Sequence, residues 1–151
     1  MNKQFQVDQL DHVELFVPDR YAAAEWYQRV LGFHIVAPFE FWAEDPHGPL
    51  MIETANGGTK LALFTGEPQR TRPTSGYHLV AFRVSAKGML EFLGLINELE
   101  LKNAAGVKVT ADDLADHQRA FSIYFCDPYG HRIEITTYEY DEVKAHIDRS
   151  A

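Results

Sequence analysis

The chain of 151 residues is long enough to bury a full core, as one compact domain or as two small modules. Apolar residues make up 46% and charged residues 24%, which excludes a disordered composition, and a formal net charge of −8 argues against a nucleic-acid partner, whose phosphates need clustered Lys and Arg. No run reaches the roughly 20 apolar residues that span a bilayer, the start lacks the apolar core of a signal peptide so that the cytoplasm is the expected compartment, and a single cysteine, Cys126, excludes an intrachain disulfide and a thiolate-rich zinc site.

In chain order, LDHVELFVP (residues 10–18) reads as a strand, with Val13, Leu15 and Val17 alternating with His12, Glu14 and Phe16. A helix is expected over RYAAAEWYQRVL, with Asp19 as its N-cap and Gly32 as a left-handed C-terminal cap. Three β-rich stretches follow near residues 34–43, 50–54 and 59–65, the last two joined by Asn56-Gly57, a tight-hairpin signal. Residues 8–67 thus form a βαβββ module.

PQRTRPTSG, residues 68–76, carries two prolines and a glycine and reads as a linker. The pattern then repeats over residues 77–140. YHLVAFRVS opens as a strand, and AKGMLEFLGLINELELKNAAG reads as a helix with an apolar stripe that Gly106 ends. Strands are expected around VKVT, AFSIYFCDP and GHRIEITTY, with Asp127-Pro128-Tyr129-Gly130 as the turn between the last two. Residues 141–151 look like a short surface helix. The expected class is α+β, two βαβββ modules pairing into a curved mixed sheet.

Alternation assigns side chains to faces, because strand neighbours at i and i+2 point the same way. One face is expected to hold Val13, Leu15 and Val17, Leu79 and Ala81, Phe121, Ile123 and Phe125, and Ile133 and Ile135. The other holds His12 and Glu14, His78, Tyr124 and Cys126, and Arg132, Glu134 and Tyr138. His12 and His78 open the two modules 66 positions apart. Two modules side by side would gather His12, His78 and Glu134 on a concave face. Two imidazoles and a carboxylate suit one divalent ion, Fe(II), Mn(II), Zn(II), Ni(II) or Co(II), and leave coordination positions open, as in a catalytic site.

LDHVELFV, YHLVAFRV and SIYFCDPYGHRIEITTY resemble the strand signatures of the glyoxalase, bleomycin-resistance and extradiol-dioxygenase superfamily, the vicinal oxygen chelate fold. The resemblance covers residues 10 to about 140, and the D-P-x-G-x-x-x-E run from Asp127 to Glu134 is its most diagnostic part. It implies His12, His78 and Glu134 as metal ligands. A fourth ligand, Glu or Gln in glyoxalase-like members, falls in GTKLALFTG, where Leu61, Ala62 and Leu63 offer none. That departure counts against glyoxalase I chemistry. Glu14 is read as a partner orienting the ligand His12.

A three-ligand set resembles those of extradiol dioxygenases and fosfomycin-type thiol transferases. For the former, Tyr124 stands where such enzymes carry an active-site tyrosine, and His117, in a segment expected to be mobile, is a candidate acid or base. Arg132, Tyr138 and Phe41 are candidate substrate contacts, and Phe39 and Trp42 resemble a pocket wall. His131 is expected at a solvent-facing strand edge, and His34, His47 and His146 are assigned no chemistry. Three readings follow for a small-molecule substrate. They are an extradiol-like oxygenase, a glyoxalase- or fosfomycin-resistance-type lyase, isomerase or transferase, and a metal-free bleomycin-resistance-type binding protein. The resemblance also implies a homodimer, while the charge and the lack of an apolar span argue against nucleic-acid and membrane partners.

Overall fold

The computed structural model describes residue 6, residues 9–67 and residues 76–151, so all but the last residue of the expected linker lies outside it. The chain divides into two compact units, Met1–Gln69 and Arg70–Ala151.

The first unit contains β1 (His12–Val17), α1 (Arg20–Leu31), β2 (His34–Ile35), β3 (Leu50–Glu53) and β4 (Lys60–Thr65). The sheet order is β1-β4-β3-β2, with β1 parallel to β4 and the other pairs antiparallel. Asp19 Oδ1 accepts from the Tyr21 and Ala22 amides at 3.0 Å, and Gly32 closes α1 at φ 73°, a conformation in which a Cβ is strained. Leu15, Val17, Leu50, Ile52, Leu61 and Leu63 are buried on the face that α1 covers. Each is worth roughly 1.5–3 kcal/mol of transfer free energy.

The strand expected over residues 34–43 stops after Ile35, and Ala37–Glu44 forms a 3₁₀ helix instead. Pro38 lacks the amide that a strand ladder would need. With three residues per turn, Phe39 and Trp42 eclipse, and their rings stack at 4.6 Å and 8°. The Arg20 guanidinium donates to the Ala43 carbonyl at 3.0 Å and to the Asp45 carbonyl at 3.2 Å, tying the end of this segment to α1.

The second unit contains β5 (Val80–Arg83), α2 (Ala86–Leu99), β6 (Ala115–Asp116), β7 (Phe121–Cys126), β8 (Arg132–Thr137) and α3 (Tyr140–Ser150). Its sheet order, β5-β8-β7-β6, and its pairing directions repeat those of the first unit strand for strand. The molecule is therefore α+β, with two four-stranded mixed sheets of one topology.

Three expectations change here. The helix ends at Leu99 rather than near Gly106, because Glu100 turns into the left-handed region (φ 51°) and carries Leu101 into the core. VKVT forms only an isolated bridge at Lys108, not a strand. Its Val109 amide donates to the Leu101 carbonyl at 2.8 Å, closing a tight loop, and the third strand of the unit is β6. The tail helix α3 packs on α2 and buries Val143 completely, so it belongs to the fold.

The faces of β5 also differ from expectation. Val80 pairs with Ile133 and Phe82 with Ile135, so they share the core face, whereas Ala81 lies opposite Glu134 on the other side. YHLVAFRVS carries apolar residues at both parities, and the larger Val80 and Phe82 gain more from burial than Ala81.

Candidate functional site

In the first unit, the sheet face opposite α1 carries His12, Glu14 and Phe16 from β1 beside Lys60, Ala62 and Phe64 from β4. His12 is exposed, and its Nδ1 meets Asp11 Oδ2 at 2.7 Å. This carboxylate, not Glu14, orients the ring, and among the described residues Nε2 has no hydrogen-bond partner. The His12 hydrogen bond first, and the Lys60 ammonium second, hold the Asp11 carboxyl below its usual range.

The registers of the two sheets also show which β4 residue corresponds to Glu134. Ala62 is the third residue of β4 and lies opposite Glu14, while Glu134 is the third residue of β8 and lies opposite Ala81. A methyl group stands where the second unit has a carboxylate. Around Ala62, Val36 and Met51 are buried, with Phe39 and Phe64 packed against them, so this part of the face is apolar. Phe41 belongs to the 3₁₀ segment rather than to a strand, is 60% exposed, and touches the Trp42 ring at 5.6 Å.

In the second unit, β7 and β8 pair Tyr124 with Glu134 and Cys126 with Arg132 on one face. His117 is not in a loose segment. It stands in the hairpin between β6 and β7, where its amide donates to the Ala120 carbonyl at 2.9 Å. Gln118 next to it adopts φ 69°, and its amide donates to Asp116 Oδ1 at 2.8 Å, so a side chain holds an otherwise unfavourable turn. This turn brings His117 Nε2 to 2.9 Å from the Tyr124 hydroxyl, which in turn lies 3.4 Å from Glu134 Oε1. Because a phenol has one proton, donation to Glu134 requires His117 to carry its proton on Nε2. Desolvation first, and then the Glu134 charge, raise the Tyr124 phenol above its ordinary value, against a hydrogen bond with Ser122 that lowers it.

His78 precedes β5 and lies at a bend, so alternation does not set its direction. Arg132 Nη1 approaches its Nε2 at 3.4 Å. A cavity of about 410 Å³ opens beside them, lined by His78, Tyr124, Cys126 and Arg132 with apolar walls that include Phe125 and Ile133. Burial is the main cause that raises the Cys126 thiol, partly offset by the Arg132 charge. Tyr138 falls one residue beyond β8 and is 70% exposed, so the face assigned to it by alternation is not imposed by the sheet.

His131 departs from expectation. It is half-buried, and its Nδ1 bonds the fully buried Asp127 carboxylate. Asp127 Oδ1 also accepts from the Tyr129 and His131 amides at 2.9 and 2.8 Å. The first half of the D-P-x-G-x-x-x-E run, Asp127 to Gly130, therefore builds the turn that leads into Glu134. His34 also has a partner, Glu53 Oε1, at 3.1 Å.

The family model for the glyoxalase/bleomycin resistance protein/dioxygenase superfamily matches residues 9–135. The chain belongs to this superfamily. No curated protein matches this superfamily member. Solved structures do. A glyoxalase/dioxygenase from Nostoc punctiforme is 22% identical, with 91% of this chain and 98% of that one covered and a TM-score of 0.64. A mutant of the fosfomycin resistance protein FosX from Listeria monocytogenes, complexed with Mn(II) and 1S,2S-dihydroxypropylphosphonic acid, is 18% identical over 91% and 97% of the chains, with a TM-score of 0.65. The oxidase ChaP-H2 is 22% identical over 91% and 99%, with a TM-score of 0.62. At these identities the likeness is one of fold.

Among the described residues, no group of three or more His, Cys, Asp and Glu side chains is gathered to hold a metal ion, and His12 belongs to one unit while His78 and Glu134 belong to the other. The donor chemistry of the separate residues fits a divalent ion. His12 has Nδ1 held by a carboxylate and, among the described residues, no partner on Nε2, and Glu134 engages one oxygen with Tyr124. Among the described residues, no helix is long and apolar enough to cross a membrane.

Proposed function

We propose that this superfamily member is a metal-dependent enzyme acting on a small substrate that presents neighbouring oxygens, with extradiol-type ring cleavage as the reaction. His12, His78 and Glu134 are its ligands. A divalent ion held by these residues would supply Lewis acidity toward the neighbouring substrate oxygens. The observation that carries the reading is the hydrogen-bonded run His117, Tyr124, Glu134, which joins the candidate acid or base and the candidate active-site tyrosine to a proposed ligand. Tyr124 orients Glu134 and presents its hydroxyl proton on the same face. His117 holds that hydroxyl and exchanges a proton with it, and its exposed position lets it return the proton to solvent. Phe41 and Arg132 are proposed substrate contacts, and Tyr138 an outer one. The protein acts as a cytoplasmic homodimer on this reading.

The experiment is oxygen uptake by protein reconstituted anaerobically with Fe(II), across a panel of catechols. Uptake coupled to ring cleavage is expected, and Tyr124→Phe lowers kcat by about 100-fold, the scale of general acid–base assistance, while the metal is retained. Absence of uptake across the panel contradicts the oxygenase reading.

A second reading is a metal-dependent lyase, isomerase or thiol transferase that consumes no oxygen, supported by the similarity in fold to the Mn(II)-bound fosfomycin resistance protein. Ala62, in place of the fourth ligand, counts against the glyoxalase I version. Turnover of an epoxide or α-oxygenated substrate with Mn(II) under anaerobic conditions distinguishes it. A metal-free binding protein of the bleomycin-resistance type is distinguished from both by metal content.

A further inference from the structure

The face of the second unit that carries Tyr124 and Glu134 continues beyond the sheet into a row of cations. Lys102 lies directly opposite Cys126 through an antiparallel bridge, and Lys108 lies directly opposite Lys102 through another. On its other side Cys126 pairs with Arg132, and Arg132 reaches His78. Antiparallel partners point to the same face, so Lys108, Lys102, Cys126 and Arg132 stand in one line, with neighbours roughly 4.8 Å apart. Leu101 and Val109, the sequence neighbours of the two lysines, are buried, which confirms that the lysines point to the opposite side.

This arrangement is electrostatically unfavourable as it stands. Like charges directly opposite one another repel, and in a chain with 22 acidic residues against 14 Lys and Arg, carboxylates are plentiful. Yet among the described residues no carboxylate lies within 4.0 Å of Lys102, Lys108 or Arg132. The row borders the cavity of about 410 Å³ whose lining includes Asn103, Cys126 and Arg132 and whose walls are largely apolar.

We infer that the substrate carries an oxyanion, a carboxylate or a phosphate-type group, bound above Cys126 between Lys102 and Arg132, with its apolar body in the adjoining cavity. Lys102 and Arg132 are the two neighbours of Cys126 across the sheet, and both side chains are long enough to converge on one anion. Arg132 supplies directed N–H donors and Lys102 a flexible point charge. Lys108 adds attraction at longer range. The inference names the substrate class for the site proposed above, but the cation row itself does not depend on the metal reading.

The test uses the full chain, stripped of metal with EDTA and labelled with ¹⁵N, and follows amide shifts during titration with benzoate, phenylphosphonate and the neutral benzyl alcohol. Saturable shifts at Lys102, Cys126 and Arg132 are expected with the two anions and not with benzyl alcohol. Lys102→Ala and Arg132→Ala are each expected to weaken anion binding about tenfold, the scale of one charge-assisted hydrogen bond, while Lys87→Ala on α2 leaves it unchanged. Lys102 is exposed, so its variant keeps the test readable even where Arg132→Ala fails to fold. The tighter of the two anions tells a carboxylate from a phosphonate substrate. Equal binding of benzyl alcohol, or unchanged anion affinity in Lys102→Ala, overturns the inference. Because no metal is present, failure here leaves the ligand assignment intact, and failure of the ligand assignment leaves this titration interpretable.

Discussion

A single side chain holds His117 in position more tightly than its place in a hairpin turn suggests. His117 meets Tyr124 because Gln118 is held in a left-handed turn by Asp116, which also accepts from the Tyr140 hydroxyl at 3.0 Å. The Gln118 amide chiefly, opposed by desolvation and aided by the Tyr140 hydroxyl, holds the Asp116 carboxyl below its ordinary 3.8. A carboxyl lowered in the folded state stabilises the fold at pH values above its unfolded value. It loses that contribution as pH falls through the lowered one. Asp116→Asn is therefore expected to be less stable than the parent at pH 7 and to approach it under strongly acidic conditions, as read from urea midpoints. A difference that stays constant with pH contradicts this. The same turn explains a limit of sequence reading. Gln118 carries no recognised turn signal, so His117 looked loose, whereas the Asp127 carboxylate that organises the D-P-Y-G turn belongs to a residue type known for such turns.

Elements were legible where local chemistry agreed with tertiary packing. The α1 limits follow from Asp19 and Gly32, and the β3–β4 hairpin from Asn56-Gly57, where Gly57 has φ 71°. Asp19→Ala should lower stability by about 1 kcal/mol, the usual value of an N-cap, in urea unfolding. A change within error would mean that α1 is held by packing alone. Legibility failed where two patterns fitted one stretch. YHLVAFRVS has apolar residues at both parities, and only the pairing of Val80 and Phe82 with Ile133 and Ile135 decides its faces. His78 then meets Arg132 because of the bend before β5, not because of strand alternation. The aromatic stretch over residues 37–44 looked like strand because Phe, Trp and β-strands go together on average, but Pro38 and the stacking of Phe39 on Trp42 favour three residues per turn.

At the scale of the whole molecule, the repeat is the strongest feature that the sequence carried. Two sheets of identical strand order put His12 in the first strand of its unit and Glu134 in the last strand of the other, where the first unit has Ala62. The units are not chemically equal. The first has an alanine where the second has its carboxylate, and an apolar face where the second has cations. The proposed anionic end and apolar body of the substrate both belong to the second unit, where the cations border the cavity. The alanine of the first unit leaves three proposed protein ligands for the ion. Metal stoichiometry by inductively coupled plasma mass spectrometry, on protein dialysed after loading with Fe(II) or Mn(II), addresses this most directly. About one ion per chain is expected for the parent and for Tyr124→Phe, with near-complete loss in His12→Ala, His78→Ala and Glu134→Ala. Undiminished metal in those three variants would contradict the assignment of His12, His78 and Glu134 as ligands.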